Sequence, residues 1–302
     1  MELRILRYFL AVAREGSIIK AAEVLHITQP TLSRQLIELE EELGTKLLNR
    51  GNKNRKITLT TEGLLLRKRA EEIIELTDRT ELEFKSHSEE IMGDIYIGGG
   101  ETDSMRVIAK TALNLQKDYP NIHYHLYSGN SDEVFERLDK GLLDFGILIG
   151  PANIEKYNYI RLPAADTWGL LMRRDSPLAD KESIQITDLE ELPLIISRQS
   201  LVENQISGWG GGDIKKLNIV ATYNLIFNAS LMVDEGFGYA LCLDKLVDTG
   251  EKSNLCFRPL TPSLEVHLDI VWKKHQIFSK GAEKFLERLQ IEFANSLNKT
   301  NL

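Results

Sequence analysis

Apolar residues recur at helical spacing from the start of the chain. Leu6, Phe9, Leu10 and Ala13 predict an amphipathic helix over residues 2–14, ended by Gly16. Ser17 is placed to cap a second helix reaching about residue 25, because its hydroxyl can accept from a first-turn N–H that has no helical partner. After the short break His26-Ile27-Thr28, Thr28 can cap a third helix whose first turn tolerates Pro30. Leu32, Leu36, Leu39 and Leu43 mark the buried face of that helix, and Gly44 stops it. Residues 47–50 and 56–59 then read as the short strands of a hairpin around Lys53-Asn54-Arg55. Residues 60–88 contain no Pro, and Gly63 is their only Gly. There Leu66, Ala70, Ile73, Thr77, Thr80 and Phe84 alternate steps of four and three, a heptad seam on a helix about 40 Å long. Such a helix packs either on its own domain or on a second subunit. The second is preferred, because nothing nearby in sequence could cover it.

Beyond Gly93 the pattern becomes strand and helix in alternation. Strands are expected at 95–97, 122–127 and 145–149, separated by helices at 103–117 and 132–140, a βαβαβ order that implies a parallel sheet. A second set follows, with strands at 169–172, 194–197, 219–223, 239–243 and 266–272 and helices at 201–207, 226–235 and 280–296. Two α/β subdomains fit this order better than one large sheet.

Composition changes this picture only locally. The 302 residues are 42% hydrophobic and 27% charged, ordinary for a folded soluble protein. No apolar stretch approaches the roughly 18 residues of a membrane span. The opening Met1-Glu2-Leu3-Arg4 does not read as a secretory signal, and Cys242 and Cys256 are too few for a disulfide framework. The expected compartment is the cytoplasm. A net charge of −8 argues mildly against nucleic-acid binding. Between Leu43 and Thr61, however, there is no Asp or Glu, while Lys46, Arg50, Lys53, Arg55 and Lys56 all fall there. That patch is either a solvated loop or a phosphate-binding surface.

The segment from Gly16 to Leu36 meets the needs of a helix-turn-helix. Ala21 and Ala22 are small enough for close helix approach, and Leu25, Ile27, Leu32 and Leu36 supply a shared core. Gln29, Thr31, Ser33 and Arg34 fall near the start of the second of the two helices, with groups suited to base edges and phosphates. The run Ala21-Ala22, Leu25, Thr28-Gln29-Pro30-Thr31-Leu32-Ser33-Arg34-Gln35, Leu39-Glu40, Leu43-Gly44, Leu47-Leu48 and Arg50, closed by Leu59-Thr60-Thr61-Glu62-Gly63, resembles the LysR-type transcriptional regulators. Ile18-Ile19 and Leu48 depart from the family pattern but stay apolar.

The resemblance implies an α+β multidomain chain. It has a winged helix-turn-helix over 1–60, a linker and dimerisation helix over 61–90, and an effector-binding domain over 91–302. That domain would divide into subdomain I (91–163 and 266–302) and subdomain II (164–265), like a periplasmic binding protein. The implied partners are double-stranded promoter DNA, a small-molecule effector, further copies of the chain as a dimer of dimers, and RNA polymerase. No membrane and no cofactor besides the effector are expected. The implied DNA contacts are Ser17, Lys20, Thr28, Gln29, Pro30, Thr31, Ser33 and Arg34, with Arg50, Lys53 and Arg55 in or near the wing.

In open α/β sheets, ligands bind at the carboxyl ends of strands. By position in the family pattern the effector residues are Gly100, Glu101, Thr102, Ser128, Gly129, Asn130 and Ile149 from one half, and Ser197, Arg198, Gln199 and Tyr223 from the other. Glu101 is unusual in a loop that tends to be neutral in the family. Asp103 would cap the following helix with Glu101 in solvent, the preferred reading; or Glu101 faces the cleft and favours an amine, with Arg198 gripping a carboxylate. An enzyme is unsupported: the chain has no G-x-S-x-G, H-E-x-x-H or C-x-x-C spacing. His123 and His125 share a strand face, but no third metal ligand is placed by the sequence.

Overall fold

A computed structural model of the chain describes residues 1–49, 56–85, 91–149, 155–198, 209 and 217–297. It divides into two units, residues 1–87 and 88–302.

In the first unit, α1 (Leu3–Glu15) ends at Gly16, whose φ of 62° lets its N–H turn back to the Val12 carbonyl at 2.9 Å. Then come α2 (Ile18–Val24), α3 (Gln29–Glu42), β1 (Leu48–Asn49), β2 (Thr58–Leu59) and α4 (Thr61–Lys85). His26, at φ 55°, makes the turn between α2 and α3. Phe9, Val12, Ala21, Ala22, Leu32, Leu36 and Leu39 form the core. Leu43, expected on the buried face, is instead 41% exposed, because α3 ends at that residue and the chain turns away at Gly44. β1 and β2 pair antiparallel, with Leu48 opposite Leu59. The basic tip between them, with Arg50, Lys53 and Arg55, lies outside the described residues.

The heptad reading of α4 needs correction in its first half. Leu66 packs on the core of its own unit and Ala70 is fully buried. The Thr77 and Thr80 hydroxyls donate to the Ile73 and Leu76 carbonyls at 2.7 and 2.8 Å. Among the described residues, the exposed apolar residues of α4 are Leu64, Leu65, Ile73, Leu76 and Phe84, of which only Ile73 and Phe84 belong to the seam.

The second unit contains β3 (Gly93–Gly99), α5 (Met105–Asp118), β4 (Ile122–Ser128), α6 (Ser131–Asp139), β5 (Phe145–Ile149) and β6 (Tyr157–Arg173). β7 (Leu194–Ser197), β8 (Ile219–Tyr223), α7 (Ile226–Asp234), β9 (Tyr239–Leu243), β10 (Leu255–Pro259), β11 (Glu265–Lys273) and α8 (Lys280–Leu297) complete it. The helix expected at 201–207 lies outside the described residues. β3 pairs parallel with β4 and β5, and β7 pairs parallel with β8 and β9, as the alternating pattern required.

Two cores result, one around Ile95, Phe145, Phe285 and Leu289, the other around Leu170, Leu194, Leu241 and Leu260. β6 serves both: its first part pairs with β11, and its last part with β9 and β10. The described strands therefore hydrogen-bond in the continuous order β4-β3-β5-β11-β6-β9-β7-β8, with β10 beside β6. Only 169–172 of β6 reads as strand in the sequence. The reason is Pro163, which has no N–H for a ladder. It sits in a bulge: His267 faces Ala165 and Asp269 faces Arg161, leaving residues 162–164 opposite Leu268.

Candidate DNA-reading helix and ligand cleft

The caps of the two short helices form as their residue types predict. Ser17 accepts from the Lys20 N–H and Thr28 from the Thr31 N–H, each at 3.4 Å, and the Thr28 and Thr31 hydroxyls lie 2.8 Å apart. These three side chains thus fix the start of each helix. With Leu32 and Leu36 buried, the opposite surface at the N-terminal end of α3 presents Gln29, Pro30, Thr31 and Arg34, with Ser33 half-buried beside them. Lys20 is exposed on α2. Arg34 is held along α3 by Glu38, Nε to Oε1 2.8 Å, with its side chain 79% exposed. Such a surface i,i+4 pair is worth about 0.3–0.5 kcal/mol, little enough to surrender to a stronger acceptor.

Glu40 is a structural residue whose role the family pattern does not explain. It is 3% exposed, and its Oε1 accepts from the Leu47 and Leu48 N–H groups at 2.9 and 3.1 Å. Lys46 stands 3.6 Å from the other oxygen. The carboxylate so ties the reading helix to the base of the wing. A charged residue in line with Leu32, Leu36 and Leu39 was the available signal.

In the second unit the expected effector residues surround two spaces. An open groove of about 420 Å³ touches Gly100, Glu101, Thr102 and Ser128 together with Arg106 and Lys245. A smaller space of about 50 Å³ touches Gly100, Glu101, Ile149, Ser197 and Tyr223 together with Trp168. Gly129, Asn130 and Arg198 line neither. The Asn130 side chain instead accepts from the Glu133 N–H at 2.9 Å as the cap of α6, and the Gly129 N–H donates to the Gly99 carbonyl at 3.0 Å. Arg198 is exposed at the end of β7. Gln199 lies outside the described residues. Tyr223 donates to the Leu241 carbonyl at 2.7 Å, and burial pushes its pKa well above the ordinary phenol value.

Two further corrections concern the loop after β3. Asp103 pairs with Arg106, Oδ1 to Nε 2.6 Å, and no side chain caps α5; the Thr102 Oγ1 accepts from the N–H of Ser104, just before the helix, at 3.0 Å. Glu101 does not point to solvent. Its Oε2 accepts from the Ile226 N–H at 2.5 Å, at the N-terminus of α7 in the other half. The carboxylate that organises this loop was not anticipated: Asp166, 1% exposed in β6, accepts from the hydroxyls of Thr102 and, at 3.0 Å, Ser104. Burial raises its pKa above the ordinary carboxylate range, against the lowering effect of those two hydroxyls. His125 meets Asp94 at 2.8 Å and stacks on Tyr96. Among the described residues no three His, Cys, Asp or Glu side chains group as metal ligands, and no helix is long and apolar enough to cross a membrane.

A capped reading helix with a wing, followed by a two-half α/β unit with a cleft, defines a DNA-binding regulator that carries its own sensor. The chain belongs to the LysR family of bacterial regulators. The family described as "Bacterial regulatory helix-turn-helix protein, lysR family" matches residues 3–64, and "LysR substrate binding domain" matches residues 88–294. Among curated relatives, the HTH-type transcriptional regulator BsdA of Bacillus subtilis (strain 168) is 26% identical, over 95% of this chain and 99% of that protein. BudR of Raoultella terrigena is 28% identical over 95% and 99%. The crystal structure of CbnR, a LysR family transcriptional regulator, superposes with a TM-score of 0.76 at 20% identity, over 97% of this chain and 99% of that one. Full-length CbnR complexed with its target DNA gives 0.72 at 20% identity, over 96% and 99%. This chain is accordingly a DNA-binding transcriptional regulator with an effector-binding domain, not an enzyme.

Proposed function

We propose that α3 enters the major groove of promoter DNA by its N-terminal end, and that a small molecule bound between the two halves of the second unit alters that binding. The observation that carries this reading is the exposure of Gln29, Pro30, Thr31 and Arg34 at the start of α3, opposite its buried leucines. Gln29, Pro30, Thr31, Ser33 and Arg34 then meet bases and nearby phosphates. Ser17, Lys20 and Thr28 approach the backbone, and Arg50, Lys53 and Arg55 serve the wing. Arg34→Ala is expected to weaken specific binding by about 1–3 kcal/mol, the scale of one good contact to a base. A gel-shift titration at fixed salt checks this, and unchanged affinity counts against it.

The effector residues of the proposal are those that line the two spaces, with no other cofactor required. Ligand binding shifts the balance between two relative orientations, by no more than its differential affinity for them. The assembly proposed is a dimer of dimers on a site of partial dyad symmetry, acting in the cytoplasm with RNA polymerase as a further partner. It is supported by Leu65, Ile73, Leu76 and Phe84, which lie exposed within about 100° of one another around α4, and by exposed Phe227 and Leu231 on α7. Sedimentation of the full chain at micromolar concentration should show tetramers. Monomers alone would refute the assembly.

A further inference from the structure

The first turn of α7 has N–H groups with no partner inside the helix, and its cap residue, Leu225, offers no side-chain acceptor. In many proteins an external anion takes such a position, because the N–H groups and the helix dipole both favour negative charge. Here the acceptor comes from the opposite half of the unit: Glu101 Oε2 lies 2.5 Å from the Ile226 nitrogen. The side chain spans the cleft and forms part of the wall of both the 420 Å³ groove and the 50 Å³ cavity. The inner cavity is far below the roughly 300 Å³ of a typical ligand site, so this is a clasped arrangement.

A second observation comes from the same cavity. Trp168 lines it, is 3% exposed, and its Nε1–H has no hydrogen-bond partner. A buried donor without a partner is uncommon, because it has lost water and gained nothing. Besides Glu101, the described walls of this smaller space are uncharged, among them Ile149, Ser197, Tyr223 and Asn224, and the cations Arg106 and Lys245 line only the groove outside it.

We propose that Glu101 is a tethered carboxylate filling the anion position of the cleft, so that the chain's effector is an amine- or amide-bearing molecule rather than an anion. The effector's donor competes with the Ile226 N–H for Glu101, and a lone pair elsewhere on it meets the Trp168 N–H. A free carboxylate finds its place at α7 already taken and a like charge beside it. This rests on reading the cleft as the effector site.

Glu101→Ala removes the atoms of one acetate ion, which makes acetate the probe. Thermal unfolding of the full-length chain is followed for wild type, Glu101→Ala and Glu101→Gln in sodium acetate and in sodium chloride of equal concentration. Glu101→Ala is expected to melt about 2–6 °C lower than wild type. Acetate, but not chloride, restores this saturably, while wild type shows no acetate response. Glu101→Gln, which keeps an acceptor without the charge, melts between the two. An unchanged melting temperature in Glu101→Ala with no acetate response overturns the proposal. So does acetate stabilising wild type as much as the variant. Failure of the cleft as an effector site is read separately: a stabilising small molecule whose effect on wild type survives in Ser197→Trp overturns the cleft, whereas a stabilising carboxylate whose effect is lost in Ser197→Trp keeps the cleft and overturns the role of Glu101.

Discussion

Gly63→Ala is expected to destabilise the winged unit by about 3 kcal/mol, the upper end for an overpacked interior, and to abolish specific DNA binding. A Cβ on Gly63 would fall well inside van der Waals contact of the Leu47 carbonyl oxygen. That oxygen cannot step aside easily. It accepts from the Thr60 N–H at 3.0 Å, while the N–H groups of Leu47 and Leu48 are held by the buried Glu40 carboxylate at 2.9 and 3.1 Å. On the other side, the Gly63 N–H donates to Thr60 Oγ1 at 2.9 Å, and that hydroxyl donates to the Lys46 carbonyl at 2.7 Å. Moving either backbone breaks several of these bonds, and the wing moves with them. Gly44→Ala is the comparison: a Cβ there has nothing within 4 Å, and only its φ of 67° opposes the change, a cost of about 1 kcal/mol. Far-UV circular dichroism melts and gel shifts of both variants check this. Equal effects at the two positions would show that the strand–helix junction yields.

This junction also illustrates what is legible in a sequence. The Thr60-Thr61-Glu62-Gly63 run is recognisable as a pattern, but the reason for its glycine is a contact with a residue sixteen positions earlier, which no local rule supplies. Local chemistry was readable where neighbours in sequence decide the outcome: Ser17 and Thr28 cap their helices, and Ala21 and Ala22 are fully covered or nearly so. The heptad spacing of Leu66 and Ala70 was real, yet spacing cannot say whether the covering surface belongs to the same chain; here it does. In the second unit, alternation located the short strands that serve a single core. It failed for β6, which passes from one core to the other through Pro163, and for β10, where Arg258 and Pro259 interrupt the apolar run. The loop after β3 was placed correctly, but the preferred reading of its side chains was not the one that forms: Glu101 faces the cleft, the alternative, rather than solvent. Thr102, Asp103 and Glu101 could each have capped α5 or faced solvent, and the choice is made by Asp166 and Ile226, distant residues that the strands bring to the cleft.

Asp166→Ala should therefore cost the second unit about 2–4 kcal/mol, because it strips the acceptor from two buried hydroxyls, Thr102 and Ser104, at about 1–3 kcal/mol each. The loop that carries Glu101 would lose its anchor with it. The conservative Asp166→Asn exposes a second effect through pH. Burial holds the wild-type carboxyl above the ordinary range; Asp244 adds to the rise, and Lys245 opposes it along with the two hydroxyls. Between the unfolded value of about 3.9 and the raised native value, the native state keeps a proton that the unfolded state has lost. Stability from this group is therefore greatest in acid, falls as pH rises through that window, and is level above the native pKa. Asparagine does not titrate, so the melting temperature of Asp166→Asn minus that of wild type should grow as pH rises from about 4. The Asn variant's own hydrogen-bond loss adds only a constant offset. A difference that is flat or shrinks with pH would mean that Asp166 is ionised at no cost in the native state, and that the Thr102 and Ser104 hydroxyls fully offset its burial.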